Sequence, residues 1–553
     1  MADGDQTTKN RNVRIGGDAS GTTIHTGDEI ILPPLPVVNP FHQLPAPPRD
    51  FTGRAEELED LKANFHRGVA ISGLHGIGGV GKTALALKLA EYLKPRYPDA
   101  QFYLDLRGVS ANPLSAAGAM AHVIRAYHPL AKLPDGEDEL SAIYRSLLHE
   151  KRALLVMDNV KDGQQVAPLA PPAGCALIVT SRVHIDPLYL PGLYPRDINR
   201  MTADDARDLL IRIASRISEQ ADEIARLCGH LPLALRVAAS AVAVRKTMTP
   251  AEYVEKLKDE KHRLSHLREV DVALSVSYTM IGEEKQKLWR ALAVFPATFD
   301  HAAASAVWGM ELETAKDKLG DLFVYSLVEY DEETRRYSRH DLARLYADER
   351  LSEEENFEYR RRHSAHYQEI IKRADQLYLK GGKSIKEGLT LFDMELINAE
   401  AGHKWAVANA EDERALELCD DYPAKCYNIL PLRQHPRQRI VWLETALKAA
   451  RRLGRKQAEG WHIGNLGNAY ADLGETRKAI EFYEQALVID REIGDRRGES
   501  IALWNMSLSL DKLGERARAI ECAEAALKIR EEIEDPRAEK VREQLDEWRQ
   551  AEE

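Results

Sequence analysis

The 553-residue chain reads as a multidomain α/β plus α protein: a three-layer αβα domain, a helical domain, a winged-helix domain, then an α-solenoid at the C-terminus. Three observations predict it. Four short runs, "VAISGL", "AQFYLDL", "RALLVMDNV" and "CALIVTSR", alternate with helical patterns between residues 50 and 201. Their length and β-branched content are those of buried parallel strands. From Thr202 onward this strand signal nearly stops, and apolar residues fall at helical spacing. Near the C-terminus the sequence matches itself at a shift of 40.

Bulk composition limits the function. With 44% hydrophobic and 30% charged residues the chain is globular, and its length predicts several domains. A net charge of -12 without a Lys/Arg run makes nucleic acid an unlikely partner, because a phosphate-backbone binder needs a basic face. The five cysteines are scattered and never in CxxC spacing, as expected of reduced thiols in a cytoplasmic protein. No stretch approaches 18 uninterrupted apolar residues, so no membrane span is expected. The opening "MADGDQTTKN" lacks an apolar signal core.

Residues 1–32 are rich in Gly, Thr and β-branched residues, with "NVRIGGDASGTTIHTGDEI" as their centre. That composition suits stacked cross-β packing and resembles short amyloid-type signalling motifs; a disordered tail or an added edge strand fits it as well. Residues 33–49 form a Pro-rich linker, expected to be extended and poorly ordered. The α/β domain is placed at 50–201 and a helical domain at 202–262, where "TADDARDLLIRIASR" opens with a Thr cap and an acidic first turn. "DEIARLCGHLPLALRVAASAVA" reads as a helix, a Gly-x-x-Pro break and a second helix. At 263–350, helices plus the hairpin candidate "LVEYDEETRRYSRHD" give the winged-helix pattern, followed by a helical linker at 351–410.

Repeats occupy 411–553. Asn465 matches Asn505, Leu473-Gly474-Glu475 matches Leu513-Gly514-Glu515, and Ala486-Leu487 matches Ala526-Leu527, with Ala446-Leu447 one period earlier. Small residues at fixed positions let paired helices approach closely, and such pairs must stack to bury their faces. The pattern resembles the tetratricopeptide repeat in a 40-residue form.

"GLHGIGGVGKTALALKLAEYL" holds Gly76-x4-Gly81-Lys82-Thr83 between a strand and a helix, the context a P-loop requires. Gly76, Gly78, Gly79, Val80, Gly81, Lys82, Thr83 and Ala84 are the candidate phosphate-binding residues. Backbone N–H groups converge there on phosphate, Lys82 adds a point charge, and the Thr83 hydroxyl faces Mg²⁺. Asp158, ending the strand "LLVMD", is the second candidate Mg²⁺ ligand. Asn159 follows it where an acid would be able to activate water; an amide cannot take a proton, so ATP hydrolysis is expected to be slow at most. Arg182, ending "VTSR", is a candidate γ-phosphate sensor.

In order, "FTGR", "GIGGVGKT", "LLVMDN", "TSR", "GHLPLAL" and "SRHDL" resemble the motifs of the NB-ARC class of STAND nucleotide switches over residues 50–350. The class includes plant immune receptors and the animal apoptosome core. The resemblance implies that Phe51 and Arg54 lie near adenine, that Pro232 packs on it, and that His340 touches the β-phosphate of ADP; Asp341, where the helix begins, is expected to cap it and hold the histidine in place. Asn159 and Arg339 depart from the family pattern. The implied activity is a switch: ADP holds a closed monomer, and a protein or peptide trigger at the repeats favours exchange for ATP and homo-oligomerisation. The N-terminal segment would then recruit an effector, in immunity or programmed cell death. The alternative is a transcriptional regulator of the STAND ATPase type, but the wing carries "DEET" and is not basic.

Overall fold

The computed structural model describes residues 41–66, 71–110, 113–131, 133–134, 136–263 and 269–550, all within one compact unit, Leu35–Glu553. The cross-β expectation for residues 1–32 lies outside the described residues. The four predicted runs form β1 (Ile71–His75), β2 (Ala100–Asp105), β3 (Ala153–Val160) and β4 (Ala176–Ser181). They pair in parallel, and β3 is buried along nearly its whole length, which is why it reads as a continuous apolar run. A fifth strand, β5 (Leu193–Asp197), escaped sequence reading: "LYPRD" buries only Leu193. It is an edge strand, where a proline is tolerated because one side needs no ladder bond. The sheet order is β2-β3-β4-β1-β5, so the loop after β1 opens at the carboxyl edge, where α/β sheets hold ligands.

Residues 41–43 correct the expected disorder of the linker. Gln101 N–H donates to Phe41 O (2.6 Å), Gln43 N–H donates to Gln101 O (2.8 Å), and the Phe41 ring packs on Tyr127 at 4.9 Å. The aromatic anchor and the free edge of β2 order this part of a Pro-rich run.

Thr202 caps the helix Ala203–Ile213, its side chain accepting from Asp205 N–H. The Gly-x-x-Pro break separates Ala221–Leu227 from Pro232–Val244, which begins on its proline. Helices Glu269–Met280, Glu283–Ala291, His301–Trp308 and Leu312–Val324 precede the antiparallel hairpin of β6 (Glu329–Asp331) and β7 (Arg336–Ser338), completing the winged helix. Two long helices follow, Glu353–Leu379 and Lys383–Ala408. Arg336 on β7 reaches the second of them, donating to both Glu395 carboxylate oxygens at 2.6 and 3.0 Å. Both side chains are buried, and Thr298 accepts two further guanidinium N–H bonds, one at its hydroxyl and one at its carbonyl.

Six helices between Pro436 and Gln550 form the repeats. Ala479, Ala486, Ala519 and Ala526 are buried between neighbours, as the 40-residue match requires. A Cβ at Gly467 would lie 2.5 Å from the Tyr483 ring, so that close approach demands glycine. The turn ion pairs recur at the same shift: Arg451–Glu459 at 2.8 Å and Arg491–Glu499 at 2.7 Å. At the start of the repeat region, Arg433 donates to Pro129 O (2.9 Å) and to Asp393 (2.7 Å), while Arg125 donates back to Arg433 O (2.9 Å). The repeat side is thereby bonded to the sheet-bearing domain.

Breaking the buried Arg336–Glu395 pair leaves an uncompensated cation. Glu395→Ala is expected to cost about 3–5 kcal/mol, measured by urea denaturation, whereas a well-packed Arg336→Met/Glu395→Leu double variant should lose far less.

Candidate functional site

The loop Gly76–Gly81 joins β1 to the helix Lys82–Leu93, and Gly81 holds φ at 94°, a left-handed conformation that frees it from a Cβ penalty. Lys82 Nζ donates to Gly76 O (2.8 Å) and Ile77 O (2.9 Å), placing the ammonium inside the turn of the loop. Ala84 follows on the first turn of the helix, and the Val80 side chain is fully buried beneath the loop.

Asp158 is the centre of the polar network below. Its carboxylate accepts from Thr83 Oγ1 (2.8 Å), Thr180 Oγ1 (2.5 Å) and Tyr103 OH (2.9 Å), joining the helix after the loop to β4 and β2. Thr83 and Asp158 bring a hydroxyl and a carboxylate oxygen together, the hard donors Mg²⁺ takes. Asp105 ends β2 opposite Asp158 in register. Sequence reading missed Tyr103 and Asp105. The signal was present, since "FYLD" is an apolar strand ending in an acid, as "LLVMD" is.

Three other regions converge on the loop. Pro232 lies beside Gly81 and Leu233 beside Gly79: hypothetical Cβ atoms there would sit 3.5 Å from Pro232 Cγ and 3.4 Å from Leu233 Cβ. At Gly78 a Cβ would meet Leu342 at 3.3 Å and the Arg182 guanidinium at 3.4 Å. The "FTGR" segment is bound to this centre through Arg54, which is buried and donates to Val80 O (3.0 Å) and Asn199 O (2.5 Å), with Glu57 at 2.7 Å. Arg54 thus grips the loop backbone, and Phe51 O accepts from Arg212 (3.1 Å).

The start of the helix Asp341–Asp348 departs from the expected division of labour. His340, not Asp341, is the cap: its Nδ1 accepts from Leu342 N–H at 3.2 Å. Burial lowers its pKa, and the neighbouring Glu329 and Asp341 carboxylates oppose the shift. In the neutral ring with Nδ1 accepting, the proton sits on Nε2, so the histidine is an uncharged donor. Asp341 instead reaches across to the sheet. Its Oδ2 accepts from Asn159 Nδ2 at 3.1 Å and lies 3.6 Å from Arg182 Nη2. Arg339 points into the winged-helix core, donating to Phe295 O (2.8 Å) over the Phe299 ring, and burial lowers its pKa to about 9.

Burial, then the Arg182 charge, lower the Lys82 pKa to about 8. A bound phosphate favours the ammonium and raises that pKa, so the affinity Lys82 supplies is complete below pH 8 and lost as pH rises above it. ADP affinity, measured by calorimetry, is expected to fall about tenfold between pH 7 and 9, and a flat profile contradicts this.

Residues 457–532 match the tetratricopeptide repeat family. The chain is 36% identical over 326 residues to Regulatory protein AfsR of Streptomyces coelicolor, covering 55% of this chain and 32% of the relative. It is 26% identical over 280 residues to Disease resistance protein RML1B of Arabidopsis thaliana, covering 45% and 26%. The chain therefore spans a third or less of the length of these relatives. A solved STAND (Signal Transduction ATPase with Numerous Domains) protein with a tetratricopeptide repeat sensor from Pyrococcus horikoshii aligns with a TM-score of 0.40 at 16% identity, covering 90% of this chain and 86% of that one. No helix among the described residues is long and apolar enough to cross a membrane. A P-loop on a five-stranded parallel sheet, within a stretch similar to these relatives, and tetratricopeptide repeats at 457–532 are what the comparisons and the fold together show of this chain.

Proposed function

We propose that the chain is an ATP/ADP-dependent signal-transduction switch working in the cytoplasm. The observation that carries this reading is the position of His340 and Asp341. They belong to the winged helix, yet Asp341 bonds to the ends of β3 and β4, beside Lys82, Thr83 and Asp158. A nucleotide at the loop would be enclosed by the sheet domain, by Pro232 and by the winged helix, so its phosphate count bears on how they dock.

In the closed monomer ADP is held by the loop amides, Lys82 and the His340 Nε2–H donor. Thr83 and Asp158 would hold Mg²⁺, which supplies charge neutralisation on the phosphates. Arg182 lies where a third phosphate would compete with Asp341 for its guanidinium. Exchange for ATP thus weakens the docking of the winged helix and frees a surface for self-assembly. A ligand at the repeats biases this only if it binds the open form better. A protein or peptide is the trigger class that suits a repeat surface, and the output would be recruitment of an effector in immunity or programmed cell death.

A second reading is favoured by the name of one relative, Regulatory protein AfsR: a switch core serving transcription. Binding of duplex DNA by the full chain at physiological salt would favour that reading.

The test is sizing by native mass spectrometry with ADP and then ATP, on wild type and His340→Ala. The wild type is expected to stay monomeric with ADP and to assemble with ATP, and the variant to release ADP faster and assemble more readily. An unchanged ADP off-rate removes the latch role of His340.

A further inference from the structure

We infer that Asp341 is a positioning residue for ATP hydrolysis: it fixes which end of the Asn159 amide faces the attacking water. The inference rests on the nucleotide-switch reading above and names how that site would turn over.

Asn159 has little freedom except at its amide. The β3–β4 register shifts between Met157 and Val160, and Asn159 sits in that irregularity at φ 56°, a left-handed backbone that a non-glycine residue rarely adopts. Its N–H donates to Thr180 Oγ1 (2.9 Å), and its carbonyl accepts from Gly108 N–H (2.6 Å). A Cβ at Gly108 would fall 2.5 Å from that carbonyl, so the loop after β2 presses directly on it. With the backbone held from both sides, the remaining choice is which way the amide is turned.

That choice has chemical weight, because an amide has one donating end and one accepting end. The Asp341 carboxylate accepts from Nδ2 at 3.1 Å, and a carboxylate selects the nitrogen because it offers acceptors. Oδ1 is thereby left as the free acceptor, one residue from Asp158. An amide oxygen can orient an attacking water without taking its proton, the role a glutamine plays in other P-loop NTPases. In the step itself the water oxygen bonds to the γ-phosphorus and the bond from phosphorus to the ADP oxygen breaks. ADP leaves with that electron pair, and the water proton passes to a γ-phosphate oxygen.

Two consequences follow. Since Asp341 enters from the winged helix, hydrolysis is oriented only in the ATP-bound form that has yet to undock, and once the winged helix leaves, the ATP is held unhydrolysed. The amide at 159 also gains a reason: an acid there would set a second carboxylate against Asp341.

The test compares Asp341→Asn with Asn159→Ala and with the double variant Asn159→Ala/Asp341→Asn in the full chain. In Asp341→Asn two amides face each other and satisfy either orientation, so the turn of Asn159 is no longer set. Its kcat for phosphate release is expected to fall by about tenfold, with KM within about twofold of wild type. In the Asn159→Ala background no amide is left to turn, so adding Asp341→Asn should change kcat by less than about twofold. The Asp341–Arg182 attraction is lost in both backgrounds, so a loss confined to the chain that keeps Asn159 isolates the amide. An unchanged kcat in Asp341→Asn, or an equal loss in the Asn159→Ala background, overturns the inference. A wild type that binds ATP without turnover also overturns it while leaving the switch reading intact; failure to bind nucleotide overturns both.

Discussion

One carboxylate connects the parts of this molecule. Asp341, on the first turn of a winged-helix helix, accepts from Asn159 near the end of β3 and faces the guanidinium of Arg182, just after β4. Those strand ends flank the phosphate loop, so a contact between domains is also a contact with the nucleotide site. The bond is worth only a kcal/mol or a few, since a charged acceptor adds modestly to an ordinary hydrogen bond: about 1.5–3 kcal/mol. That scale suits a switch, where a change of one phosphate must decide between two arrangements of similar energy.

Most of the fold was legible because its signals are local. Four strands came from apolar runs, the phosphate loop from its glycine spacing, the helical break from Gly229 and Pro232, and the repeats from self-similarity. The fifth strand was not legible, because an edge strand buries one residue in five and has no periodic pattern to show. Phe41 and His42 lay hidden in a proline-rich stretch whose composition argued for disorder, while the free edge of β2 supplied order no composition records.

The site was legible by type and less so by partner. Lys82, Thr83 and Asp158 stand where their motifs placed them relative to one another. The roles of His340 and Asp341 were exchanged in part, because both residue types cap helices and only geometry shows that the imidazole does so while the carboxylate reaches the sheet. Arg54 is another such case: its motif associates it with the base, and its guanidinium is committed to the Val80 and Asn199 carbonyls. At the far end, Arg125 donating to Arg433 O and Arg433 donating to Pro129 O give the repeat side a physical connection to the sheet domain, with Asp393 the carboxylate that Arg433 bonds. A displacement of the repeats would be felt there first.

The central claim is that the winged helix is docked with ADP and undocked with ATP. Hydrogen–deuterium exchange of the backbone amides of Asp341–Asp348 measures this directly, with ADP and with a non-hydrolysable ATP analogue. The account predicts slow exchange in the ADP form and faster exchange with the analogue, with the repeat helices Lys456–Asp472 and Thr476–Ile493 unchanged. Equal exchange in both nucleotide states would contradict it.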